Sequence, residues 1–207
     1  MRTGPSHAWR RLAALLAVAA MMVQSGCLGG SSPPDRFYRL DVPGAATRLE
    51  VSPLRGRLLV DSIRGGAMSF ERPMLYRKAD DPYRIGRDAY DKWVDPPPLM
   101  IQRALVEFLR SANLAEAVIT PEMRLDADFR LAGRVNRFER LLGESPPRAI
   151  VEVEFNLVRL EDRGLLLLET YREEEAFAEN GFGSSAEAFS RALHRILERL
   201  AGDLQEL

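Results

Sequence analysis

Few side chains in this chain of 207 residues have the type and spacing that a reaction needs. Histidine occurs twice, and only His194 lies beyond the N-terminal segment. It falls off the apolar stripe of its helical pattern and reads as a surface histidine, so a nucleophile-base pair has nothing to build on. Cys27 is the sole cysteine, and no Cys or His pair stands at metal-ligand spacing. Asp126 with Asp128, and Glu173-Glu174-Glu175, could hold a hard cation through oxygen, but they sit at strand ends and read as solvated charges. Gly181-Phe182-Gly183 precedes a helix without a parallel-strand unit before it, which makes it a loop rather than a phosphate cradle. No metal, no cofactor and no enzymatic activity are therefore expected.

The chemistry that Cys27 does suggest is acylation. Arg2, Arg10 and Arg11 precede the apolar run Leu12 to Val23, and the small residues Ser25 and Gly26 lead into the cysteine. The run is too short to span a bilayer as a mature helix. Gln24-Ser25-Gly26-Cys27 resembles a lipobox at its last three positions, with Gln24 where an aliphatic residue is usual. Residues 1–26 are thus expected to be a lipoprotein signal peptide and Cys27 the lipid-attachment site; the other reading is cleavage after Ala17-Val18-Ala19, with Cys27 left as a free thiol. A triacylated cysteine buries several chains at about 0.8 kcal/mol per methylene, enough for stable anchoring. By resemblance to enteric lipoproteins, Leu28 in place of Asp after the cysteine implies sorting to the outer membrane.

Composition excludes other classes. The net charge is -1, and loss of residues 1–26 removes three Arg and no acid, leaving 26 basic and 30 acidic side chains. Such a body is no nucleic-acid binder, since that affinity comes from Lys and Arg neutralising phosphates. One cysteine rules out a disulfide scaffold.

Positioning elements follow the anchor. Leu28 to Asp35, LGGSSPPD, reads as a tether of about 16 Å r.m.s. reach, completing a lipidated Cys-plus-tether segment over 27–35. A single domain is expected over 36–207. Phe37-Tyr38 with Leu40, and Leu58-Leu59-Val60 with Ile63, read as two strands. Met74 to Tyr76 and Tyr83 to Ile85, parted by Ala79-Asp80-Asp81-Pro82, read as a hairpin whose far arm runs toward Trp93. Pro96-Pro97-Pro98 suits a first helical turn, and Ile101, Ala104, Leu105, Phe108, Leu109 and Ala112 continue at helical spacing. Alternation from Phe129 to Asn136 and from Val151 to Leu157, then Leu165 to Leu168 after Asp162-Arg163-Gly164, predicts a three-stranded antiparallel meander over 127–177. Ser184 with Glu187 matches a capping box, and Phe189 through Leu204 forms the cleanest helical stripe. The sum is an α+β fold of six or seven strands in a mostly antiparallel sheet, with two amphipathic helices on one face.

The middle block is the most specific. Glu71 to Arg77 (ERPMLYR), Tyr90, and Trp93-Val94-Asp95-Pro96-Pro97 ahead of the helix, together with Phe37 to Leu40 and Leu58 to Val60, resemble the ABC-type transport auxiliary lipoprotein family in its PqiC-like, MCE-associated form. The resemblance spans roughly 36 to 200. It implies a partner: an MCE-domain protein with its ABC transporter, which moves phospholipid or other hydrophobic molecules across a Gram-negative envelope. The expectation is a periplasm-facing accessory subunit of the outer membrane, docking or capping the MCE conduit as a homo-oligomer. Trp93, Pro96 and Pro97 have two readings, as the rim that binds the partner or as packing that shapes the hairpin-to-helix corner with the indole on the first helix. The alternative function is a lipid carrier with an apolar cavity lined by residues such as Phe155, Leu168 and Ile196.

Overall fold

The computed structural model describes residues 32–178 and 181–207, so the signal segment, Cys27 and the first part of the tether lie outside the described residues. Contacts divide the chain into Met1–Pro34 and Asp35–Leu207, and the second unit holds all the regular structure described. One sheet contains β1 (Arg36–Tyr38), β2 (Leu54–Val60), β3 (Arg64–Gly65), β4 (Pro73–Lys78), β5 (Asp81–Trp93), β6 (Ala115–Ile119), β7 (Phe129–Leu142), β8 (Arg148–Arg159) and β9 (Leu165–Ala176). Helix α1 (Pro97–Ala112) joins β5 to β6, and α2 (Phe182–Gln205) closes the chain.

Strand β7 organises the sheet. Its one edge pairs antiparallel with β8, from Phe129↔Arg159 to Leu141↔Arg148, and β8 pairs antiparallel with β9. Its other edge takes β2, β3 and β4 in succession, all parallel: Leu58 to Val60 beside Phe129 to Leu131, Arg64–Gly65 beside Arg134 and Val135, and Tyr76 to Lys78 beside Arg140 to Leu142. Strand β6 adds parallel to β2, β5 antiparallel to β4, and β1 parallel to β5. The long ladders are antiparallel and the parallel pairings are short. The fold is the expected α+β arrangement, including the meander and the hairpin, whose turn is Ala79–Asp80 with Asp81 and Pro82 already in β5.

Period-two alternation assigns the faces. Leu131, Val135 and Phe138 on β7, with Val151, Val153, Phe155 and Leu157 on β8, are buried toward the helices, while Arg130, Arg134, Glu152 and Glu154 take the opposite face. Gly133 sits where β7 passes closest to its neighbours: a Cβ there would fall 2.5 Å from Ile63 and 2.9 Å from Phe155. Helix α1 opens on prolines, whose missing N–H costs nothing in a first turn. It ends at Asn113 in the left-handed region, φ 60°, which asparagine tolerates. Helix α2 buries Phe189, Leu193, Ile196, Leu197, Leu200 and Leu204 against the sheet, each contributing about 1.5–3 kcal/mol.

Two local expectations change. The capping box does not form: α2 starts at Phe182 with Gly181 as its N-cap, and the Ser184 hydroxyl donates back to the Gly181 carbonyl at 2.9 Å. Strands β3 and β6 were not anticipated. β6 is five residues long and follows α1 after two residues, so no turn signal of Gly or Pro separates it from the helical pattern.

Candidate docking site

The β5–α1 corner is built from the inside out. Trp93 ends β5 and is 1% exposed. Its indole lies 5.3 Å from Phe138 of β7 and 5.3 Å, edge-on, from Phe189 of α2, and those two rings stack at 4.4 Å. The aromatic cluster therefore clamps sheet to helix. This corrects the docking-rim reading for Trp93, whose ring partners belong to β7 and α2. Pro97 is likewise buried and Pro96 half-buried, because the first turn of α1 packs inward. What the corner shows to solvent is Val94 and Leu99.

Beside the corner, the first strand is fastened to the sheet. The Arg36 guanidinium donates to both carboxylate oxygens of Asp91, at 2.8 and 2.6 Å, and the Tyr38 hydroxyl donates to the same carboxylate at 3.0 Å. Asp91 is 1% exposed, so it is held by a bidentate pair, the geometry in which buried charge is best compensated. Lys92 reaches Asp35 at 2.6 Å, and Val94 N–H donates to the Tyr38 carbonyl at 2.8 Å. The hydrogen bond to Asp91 raises the Arg36 pKa, while burial, then that same carboxylate, raises Tyr38. Next to this clasp, buried Arg140 pairs with Asp88 and lies 4.3 Å from the Phe182 ring. Burial lowers the Arg140 pKa and raises that of Asp88, against the attraction each has for the other.

From the clasp, residues 39–49 run as a strap across both helices. Asp41 N–H donates to Ser190 of α2 and Ala45 N–H to Ser111 of α1. Clefts flank the strap: one of about 460 Å³ against α2, with Arg39, Asp41, His194 and Arg195 on its walls, and one of about 360 Å³ against α1, with Val94, Asp95 and Arg103. His194 is half-buried rather than a surface residue, packed edge-on to Phe108 at 5.8 Å and 3.7 Å from Glu198. Ser190 lines the α2 cleft beside His194, but its hydroxyl is committed to the backbone, accepting from Asp41 N–H and donating to the Ala186 carbonyl, so these walls offer recognition by shape and charge.

The acidic run on β9 has a structural use that its sequence reading missed. Glu173 and Glu175 face α2 and pair with Arg191, Arg195 and Arg199, whereas Glu174 turns to the other face and pairs with Arg148 and Arg172. The clue was present, as acids two apart on a strand and Arg four apart on a helix. Asp128 accepts the Arg57 N–H at 2.7 Å, and Asp126 stays exposed. Among the described residues no group of His, Cys, Asp or Glu is arranged to hold a metal ion. The carrier cavity is corrected too. Phe155 and Ile196 are 0% exposed, so no water-sized void borders them, and Leu168 is 55% exposed on the solvent side of β9.

A family model of the ABC-type transport auxiliary lipoprotein component matches residues 38–201, from the last residue of β1 to Ala201 in α2. The chain belongs to that family. It is thus an auxiliary lipoprotein of an ABC-type transport system. Solved structures share the fold: a Xanthomonas campestris protein, 21% identical, superposes with a TM-score of 0.70 over 81% of this chain and 93% of that chain. An uncharacterized protein, 13% identical, gives 0.65 over 83% and 99%. No curated protein matches the chain. The family match covers the end of β1, the whole corner, α1 and α2 as far as Ala201, so Tyr38 and Asp91 of the clasp, the aromatic cluster and the strap lie within it, with Arg36 just outside.

Proposed function

We propose that this protein is an outer-membrane lipoprotein subunit, anchored by acylated Cys27 and facing the periplasm, that docks or caps an MCE-type conduit served by an ABC transporter. It performs no chemistry of its own. The observation that carries this reading is the sealed interior of a family member: Trp93, Phe155 and Ile196 fill the space between sheet and helices, so cargo has no room inside and the domain acts through its surface. The cargo is phospholipid or another hydrophobic molecule, moved by the partner.

The docking surface is the strap with its two clefts and the exposed Val94 and Leu99, now in place of Trp93. Each cleft is small, so several copies in a homo-oligomer supply the affinity through repeated weak contacts. A deletion strain with an envelope-permeability defect tests the reading. At matched protein levels, Cys27→Ser should fail to complement and His194→Ala should complement. The reverse pattern reopens an enzymatic account.

A further inference from the structure

The β4–β5 hairpin carries the most exposed large apolar side chain described, and its exposure has a backbone cause. Arg77 pairs with Ile85 and Lys78 with Asp81, so Pro82, Tyr83 and Arg84 have no partners on β4 and bulge from the ladder. Bulges of this kind re-aim side chains. Tyr83 is 97% exposed and Ile85 beside it is 41% exposed. Around them stand the exposed charges Lys78, Asp80, Asp81 and Arg84, two of each sign. An amphipathic ring with a nearby isoleucine, beside two long cations and two aspartates, has the chemistry of a membrane-interface contact.

The direction of the first strand says which surface the tip meets. Because β1 is parallel to β5, with Arg36 beside Asp91, the chain before Arg36 leaves in the direction of lower β5 numbers, toward the bulge. Tyr83 lies eight residues before Asp91, about 26 Å along the strand. Cys27 lies nine residues before Arg36, a reach of at most about 30 Å. A cysteine anchored nine residues before Arg36 is therefore within reach of the hairpin end, where Ala79 N–H also donates to the Leu142 carbonyl at the end of β7. The exposed Leu125, Leu165 and Leu168 lie at the opposite end of the sheet, beside the start of β7 and the end of β8.

We propose that Tyr83 and Ile85 on the β4–β5 bulge are a second membrane contact, seated in the headgroup region of the leaflet that holds Cys27. The contact fixes the domain's tilt and turns the Leu125–Leu165 end away from the bilayer. This rests on the acylation of Cys27 proposed above. The charges at the tip balance, so the ring and the isoleucine hold the contact.

The test uses the full acylated chain in phosphatidylethanolamine and phosphatidylglycerol vesicles whose acyl chains are brominated near the headgroup. Trp93 is the only tryptophan after residue 9 and is buried, so it supplies an unquenched background. Tyr83→Trp and Ile85→Trp should each add an emission that is shifted to the blue and quenched by the brominated lipid. Leu165→Trp should add one that is neither. Far-UV circular dichroism identical to wild type shows that the variants fold, and the two tip positions check each other. Flotation of the chain with Tyr83→Trp and Ile85→Trp no more quenched than Leu165→Trp overturns this contact alone and assigns the tip to a protein partner or to solvent. A chain that does not float overturns the anchor itself, and this proposal with it.

Discussion

Replacing Trp93 by alanine separates the two readings that the sequence allowed for this residue. The indole is buried between Phe138 and Phe189, at 5.3 Å from each. Truncating a buried tryptophan costs about 3–5 kcal/mol once transfer and cavity terms are combined. Part of that loss is the edge-on contact with Phe189, since such aromatic pairs are worth about 0.5–1.5 kcal/mol beyond burial. Against a domain stability of about 5–15 kcal/mol, Trp93→Ala removes a large fraction. The thermal midpoint should fall by roughly 6–20 °C, at about 2–4 °C per kcal/mol for a domain of this size. Urea unfolding of Asp35–Leu207 followed by far-UV circular dichroism is the assay, because the variant removes the only tryptophan of that unit. The midpoint should drop with the slope unchanged. A loss below about 1 kcal/mol would place the indole outside the core and refute the account of the corner.

Other perturbations follow the same logic. Leu197→Ala, on the fully buried stripe of α2, should cost about 2–5 kcal/mol by urea unfolding, and a near-neutral result would mean that α2 is not docked. Asp88→Asn leaves buried Arg140 without its carboxylate and should cost about 3 kcal/mol in the same assay, whereas a neutral outcome would show the pair to be dispensable. Burial, then the hydrogen bond donated to Asp203, holds the Tyr171 phenol above its ordinary range. The folded state keeps this proton where the unfolded chain loses it, so its contribution is complete below about pH 10 and is lost as pH rises further. Between pH 9 and 11 wild type should lose more stability than Tyr171→Phe, and equal losses would contradict the assignment.

The parts of the fold that were legible in the sequence are those whose signal is local. Strands β7 and β8 alternate from Phe129 to Asn136 and from Val151 to Leu157, and α2 repeats its apolar positions over about four turns from Phe189 to Leu204, so each announces its own buried face. The sequence does not reveal that β2, β3 and β4 share one edge of β7 in parallel, since parallel register is set by residues far apart in the chain. The Ser184–Glu187 motif misled for a physical reason: Phe182 is held by Tyr38, Arg36 and Arg140, which draws the helix start back to Gly181. Trp93 was recognisable as important, but an aromatic at an interface and an aromatic in a core leave the same mark in one sequence. Its burial appears only when Phe138 and Phe189, 45 and 96 residues away, close over it. The strap could not be foreseen at all, because it has no periodicity and its hydrogen bonds go to Ser111 and Ser190 on two separate helices.

The central claim is that the domain works by contact and not by carrying lipid. The full chain, affinity-purified from detergent-solubilised membranes of its own host, tests it by mass spectrometry of both protein and non-covalent lipid. The account predicts an MCE-domain protein with its ABC transporter retained on the chain, and no phospholipid left once that partner is stripped off. Phospholipid that stays with the isolated chain, in preparations lacking any MCE-domain protein, would contradict it.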